Sequence, residues 1–225
     1  MTAAKAVRTS ATRRGPATGR SDPYAALAAD NRVLRELVAR YGRPDPFHWG
    51  MLDAAGADRF AGLVLHIVSQ QISTSVALRM FARIEAAAGA PPRPDTVTAL
   101  GVDGLRSCGL SHAKAASLLD VSHRVHDGSL ALDRLDTLTD EQALAELTAA
   151  RGIGPWTAQM FLIHQLRRPD VLPAGDLGIR QAVRARWQYD ALPATQEVAD
   201  LGRAWSPYRT YAAALLWASL RPTPT

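Results

Sequence analysis

From Asp30 onward, apolar residues recur at helical spacing nearly everywhere, and the alternation expected of a half-buried strand is hard to find. Leu34, Leu37, Val38 and Tyr41 form one stripe of a helix that should stop at Gly42, ahead of Pro44. The stretch holding Leu63, Val64, Ile67, Val68 and Ile72 is apolar all round, which predicts a helix through the centre of a lobe. A further helix is expected from Ser73 or Thr74 to Gly89, where Ala-Pro-Pro-Arg-Pro forces a connection. Short helices over 95–100 and 102–108 precede a longer one over 111–126, closed by Asp127-Gly128. Asp140 is a good N-cap for a helix over 141–149, and helices over 155–166, 176–187, 195–203 and 207–220 complete the pattern. Roughly ten helices joined by short turns, without a repeat of solenoid period, predict an all-α fold.

The chain has 225 residues, 47% hydrophobic and 21% charged, which suits an ordinary globular protein with room for a sizeable core. No stretch approaches the length of a membrane span, and no apolar run follows the basic residues at the N-terminus, so neither an anchor nor an export signal is expected. A single cysteine, Cys108, excludes an intramolecular disulfide and any cysteine-built zinc or iron–sulfur site within one chain. The six histidines are scattered without the spacing of a metal site, although His48 stands beside Phe47 and Trp49.

A net charge of +5 and a pI near 9.9 suggest a nucleic-acid partner. The excess is confined to Lys5, Arg8, Arg13, Arg14 and Arg20, however, and the remaining chain is formally neutral. Any affinity of the folded part for DNA must then come from local arrangement. Residues 1–21 mix Thr, Ser, Gly, Pro and Arg without periodicity and read as a disordered basic arm ahead of a domain over 22–225.

Gly152-Ile153-Gly154-Pro155 lies between two helical patterns. Two glycines permit a tight turn that a ligand can approach closely, Ile153 would plug that turn into the core, and Pro155 suits the first turn of the next helix. The free N–H groups of that helix would face outward, where a phosphate can bind. A helical hairpin without a ligand fits these four residues equally well.

Leu147 through Met160, preceded by Ser69-Gln70-Gln71-Ile72-Ser73 and followed by Val171-Leu-Pro-Ala-Gly-Asp176, resembles the helix-hairpin-helix DNA glycosylase superfamily, and within it the 3-methyladenine DNA glycosylase II (AlkA-type) branch. Matching segments run from about Phe60 to Trp217 and include the terminal Trp-Ser-Pro-Tyr-Arg. The resemblance implies two helical lobes with the hairpin motif and an active cleft between them. It also implies a monofunctional enzyme of base excision repair that flips an alkylated base such as 3-methyladenine out of double-stranded DNA, hydrolyses its N-glycosidic bond and leaves an abasic site. A glycosylase for another damaged or mismatched base, and a non-enzymatic DNA-binding module, are the alternatives. A monomer is expected, in the cytoplasm and with the nucleoid if the source is bacterial. The longer AlkA-type enzymes carry an N-terminal α/β lobe, which is not expected here: the roughly forty residues before Phe47 have room for one helix and the tail.

Residue roles follow from the same resemblance. Asp176 would be the catalytic carboxylate; an aspartate before a helix is otherwise simply an N-cap. Cleaving the N-glycosidic bond puts positive charge on the sugar, which a fixed carboxylate stabilises. Trp156 occupies the place where bifunctional members carry a lysine, so no amine is available for strand cleavage. Trp156, Met160 and Trp217 would surround the flipped base, with Phe47 and Trp49 in a segment able to close the pocket. Gly152, Gly154 and Thr157 would meet the DNA backbone. Leu110 would be the wedge that enters the duplex and Gln71 the second filling residue. Packing of Leu110 and a buried polar position for Gln71 are the plain structural alternatives. No cofactor is required, although main-chain carbonyls of Thr148, Ala150 and Ile153 would suit a monovalent Na+ or K+ ion at the hairpin.

Overall fold

The computed structural model describes residues 22–221, so the expected basic arm over 1–21 lies outside the described residues. Within them the chain is helical, with eleven α-helices, three short 3-10 turns and no strand. Two helices, not one, precede Phe47. Asp22 caps α1 (Pro23–Asp30) by accepting the Tyr24 N–H, and Asn31 caps α2 (Arg32–Tyr41) by accepting the Leu34 N–H at 3.0 Å. The sequence carried this signal in Asp22-Pro23, a cap followed by proline in the first turn.

A 3-10 turn (Gly50–Ala55) leads into α3 (Arg59–Ser69), whose residues from Phe60 to Ser69 are all buried. Ile72 falls beyond this helix. Next come α4 (Thr74–Ala88) and α5 (Pro94–Ser107), the latter broken at Gly101, whose φ of 61° interrupts the helical run between the two short helices expected there. After α6 (His112–His126) and a 3-10 turn (Arg134–Thr137), α7 (Asp140–Thr148) is capped by Thr139 rather than Asp140. The Thr139 hydroxyl accepts the Gln142 N–H while Gln142 returns the bond to Thr139, so Asp140 falls inside the helix. The chain ends in α8 (Pro155–His164), α9 (Leu177–Trp187), α10 (Thr195–Gly202) and α11 (Arg209–Ala218).

Two cores form. One gathers around α3, with α4 to α8; the other joins α1 and α2 to α9, α10 and α11. Trp217 packs against both. The linker from α8 to α9 is clamped to each side. Arg168 donates to the carbonyls of Leu135 and Leu138 at 2.9 and 2.8 Å, and Asp170 binds Arg209 of α11. These clamps fix the end of the linker, where Asp176 stands, at the seam between the cores.

Candidate active site

The linker ends in a tight turn, with the Asp176 N–H donating to the Pro173 carbonyl at 2.9 Å. Oδ1 of Asp176 accepts the Ile179 N–H at 2.8 Å, so the residue does cap α9. The same carboxylate also accepts two indole N–H groups, Trp217 Nε1 on Oδ1 at 3.0 Å and Trp156 Nε1 on Oδ2 at 2.8 Å. Capping and site membership are one geometry: the helix fixes the carboxylate while tryptophans from α8 and α11 aim it. Every one of these donors is neutral, and among the described residues no basic side chain bonds to Asp176. The indoles are therefore more than pocket walls, a role that sequence spacing does not reveal.

Asp176 opens onto a cleft of about 540 Å³ lined by Trp49, Trp156, Met160, His164 and Trp217. Trp156, Met160 and His164 follow one another at four-residue intervals on α8 and so share a face. His164 could have been found by extending the spacing that brings Trp156 and Met160 together. Phe47 does not join them. Its ring packs edge-on against Tyr211, with the Arg167 guanidinium 4.8 Å from its centroid, and only its carbonyl turns toward the cleft side, meeting His164 Nδ1 at 3.1 Å. His48 does line the cleft.

Burial lowers the pKa of His66 to about 3, with His164 adding to the effect. Burial likewise lowers His164 to about 4, partly opposed by its bond to the Phe47 carbonyl. Both rings are therefore neutral near pH 7.

A second groove runs from Asp176 past Trp156 to Gly152, Gly154 and Gln71. The two hairpin glycines serve different ends. Gly152 adopts a φ of 78°, and a Cβ there would lie 2.0 Å from the Ser117 Oγ, so packing alone demands glycine. Gly154 has an ordinary φ of −82°, and a Cβ there would meet nothing within 4 Å. Gly154 is the N-cap of α8, a place that favours glycine over alanine, and the open space above it leaves room for a ligand to approach. Ile153 is buried as expected. The first turn of α8 leaves the Trp156 and Thr157 N–H groups without intrahelical partners beside Gly154.

The hairpin is held from two sides. On one, Asp120 of α6 accepts the Arg151 N–H at 2.8 Å; burial raises its pKa, yet this bond and Arg124 hold it below the usual carboxylate range. On the other, Gln70 Nε2 donates to the Gly152 carbonyl and to Thr157 Oγ1, both at 3.0 Å. That bond corrects the expectation for Thr157, whose side chain is buried and engaged within the protein, leaving only its backbone for DNA. Lys114 Nζ donates to the Val68 and Gln70 carbonyls, both at 2.7 Å, and burial lowers its pKa. The turn it braces holds Gln71 exposed at a φ of 57°, a left-handed conformation costing a non-glycine residue about 1 kcal/mol. Gln71 is thus neither helical nor buried. Gln70 and Lys114, which hold the turn, were not identified from sequence.

Leu110 contradicts its expected role. It is only 4% exposed and belongs to the first core, because its N–H bonds back to the Leu105 carbonyl and the turn directs the side chain inward. In this conformation it does not project as a wedge. At the hairpin, the Ala150 carbonyl accepts the Ile153 N–H at 3.2 Å, whereas the Thr148 and Ile153 carbonyls accept no backbone N–H among the described residues.

The sequence and the fold match those of known proteins. Residues 64–207 match the family described as HhH-GPD superfamily base excision DNA repair protein. A Bacillus subtilis (strain 168) protein, YfjP, assigned by name to the DNA-3-methyladenine glycosylases, is 34% identical over 161 residues. The alignment spans 68% of this chain and only 56% of that relative, little more than half its length. DNA-3-methyladenine glycosylase 1 of Schizosaccharomyces pombe is 32% identical over 158 residues, 69% of each chain. The solved structure of 3-methyladenine DNA glycosylase Mag1 from the same yeast, in complex with abasic DNA, superposes with a TM-score of 0.78 at 27% identity, covering 90% of this chain and 98% of that one.

Proposed function

The chain belongs to the HhH-GPD superfamily of base excision DNA repair proteins, and on that premise we propose that it is a monofunctional glycosylase for alkylated purines in duplex DNA. The observation that carries this reading is the Asp176 carboxylate, fixed by three neutral donors at the edge of a tryptophan-lined cleft. A base flipped into the cleft stacks on the indoles, and an alkylated purine, being cationic, gains from their electron-rich faces. As the N-glycosidic bond breaks, its electron pair leaves with the base and positive charge grows on the sugar. Asp176, held by neutral donors alone among the described residues, faces that charge, stabilises it, and orients the water whose oxygen bonds to the anomeric carbon as its proton passes to solvent. Trp156 offers no amine, so the reaction stops at an abasic site.

The groove supports a path for the DNA backbone over Gly154 and the start of α8, with Gln71 beside it. Three main-chain oxygens, those of Thr148, Ala150 and Ile153, fit a hard monovalent cation, which would add positive charge where a phosphate approaches. We propose that the protein acts as a monomer alongside the chromosome. Incubation with duplexes carrying defined lesions is expected to release methylated purines, read by mass, with strand breaks appearing only after alkali treatment. Efficient covalent trapping by borohydride, or intact lesions throughout, contradicts the reading.

A further inference from the structure

Of the polar side chains that line the cleft, Asp45, His48, His164 and Arg221 are left unused by the chemistry above, and His164 is the one whose tautomer the structure fixes. His164 Nδ1 lies 3.1 Å from the carbonyl oxygen of Phe47, and a carbonyl only accepts, so Nδ1 carries the hydrogen. The ring packs against Trp49 at 5.4 Å and stacks on His66 at 6.4 Å. In this setting the imidazole is neutral at pH 7, which leaves Nε2 as a bare acceptor. Among the described residues no donor meets that atom, and it is not enclosed by protein. His66, directly behind it, is fully buried with both ring nitrogens unpartnered and has no route to the cleft. Of the two stacked rings, only His164 lines the cleft where a base would lie.

We propose that His164 is a specificity residue of the base pocket: its bare Nε2 accepts a hydrogen bond from an N–H group of the flipped base, favouring purines that keep an exocyclic amine over purines whose edge offers acceptors only. The proposal rests on the glycosylase reading above. A base that brings another acceptor would leave two lone pairs facing each other in an apolar cleft, the costly case of unpaired polar groups. A neutral ring also tolerates the positive charge of an N-alkylated purine, which an imidazolium would repel.

The test compares single-turnover release of 3-methyladenine and 7-methylguanine, which keep the amine, with release of 1,N6-ethenoadenine, which has lost it. His164→Leu is expected to slow release of the first two about tenfold, while ethenoadenine release holds or rises. His164→Gln, which retains an acceptor, should recover most of the loss. Equal losses on all three bases overturn the proposal and reduce His164 to packing. Failure of the unaltered protein to release any base counts instead against the glycosylase reading. Nitrogen-15 NMR of the unaltered protein decides the matter even if His164→Leu does not fold. Nε2 should be unprotonated at pH 7 and shift on addition of free 3-methyladenine but not of 9-methyl-1,N6-ethenoadenine, which has no N–H. A hydrogen on Nε2, or no shift with 3-methyladenine, overturns the proposal.

Discussion

Asp170 and Asp176 stand on the same linker, and their charges meet opposite surroundings. Asp170 accepts from Ser206 Oγ and from the backbone N–H, Nε and Nη2 of Arg209, a forked pair in which a cation cancels the carboxylate. Burial raises its pKa, but these bonds outweigh it and hold the carboxyl below the usual range. Among the described residues, Asp176 accepts only from two indoles and one backbone N–H. Neutral donors orient a carboxylate without neutralising it. The difference teaches that a well-bonded aspartate can be structural or reactive according to the charge of its donors, which is why hydrogen-bond satisfaction alone does not identify a site.

The strongest way to break this comparison is to neutralise each aspartate in turn. Asp176→Asn should slow base release by about a thousandfold while duplex binding persists. Asp170→Asn should retain most activity and instead lose about 2 kcal/mol of stability in urea, since Arg209 is left half-buried without its partner. Activity loss in the second variant matching that of the first would erase the distinction.

Leu110 sharpens the comparison from the apolar side. With its side chain in the core, Leu110→Ala should cost about 3 kcal/mol in thermal or chemical unfolding and affect lesions in paired and mismatched duplexes alike. A loss confined to paired duplex, with stability unchanged, would restore the wedge. The resemblance placed this residue correctly in a turn before a helix, but the direction of a side chain depends on a backbone bond to Leu105 that spacing does not encode. The same limit applies to Phe47 and Thr157, whose neighbourhoods were identified but whose side chains turn inward. Helix positions were legible because burial stripes and caps are local, whereas α1, the Thr139 cap, the end of α3 before Ile72 and the three 3-10 turns were missed. Asp176 was legible because it lies before a helix in a distinctive run, whereas its two indole partners arrive from separate helices.

The hairpin glycines extend the contrast between internal and external roles. Gly152→Ala should destabilise the fold by about 2 kcal/mol, through its left-handed φ and the Ser117 contact. Gly154→Ala should cost at most about 1 kcal/mol as a poorer N-cap and weaken binding to lesion and undamaged duplex alike, measured by anisotropy across a salt series. Equal binding by Gly154→Ala would make the hairpin a structural turn.

The two neutral rings behind the cleft add a pH slope. His66 and His164 have folded pKa values near 3 and 4, against about 6.5 when unfolded. Below that value the unfolded chain binds protons that the fold refuses, so stability falls as pH drops from about 6.5 toward 4, by about 1.4 kcal/mol per unit for each ring. Asp170 contributes nothing in this window, because its depressed pKa matters only below the ordinary carboxylate value of about 3.9. His66→Leu should flatten the slope in urea titrations at pH 7, 6 and 5, and an unchanged slope would place the titrating group elsewhere.

The central claim is that Asp176 offers an uncompensated negative charge to a cationic sugar, and binding of stable sugar mimics tests it most directly. Two duplexes would be compared, one with a cationic pyrrolidine at the abasic position and one with the neutral tetrahydrofuran ring of the same shape. The unaltered protein should bind the cationic duplex about a hundredfold more tightly, and Asp176→Asn should lose that preference while retaining affinity for the neutral one. Equal affinity of the unaltered protein for both duplexes, or an undiminished preference in Asp176→Asn, would contradict the account.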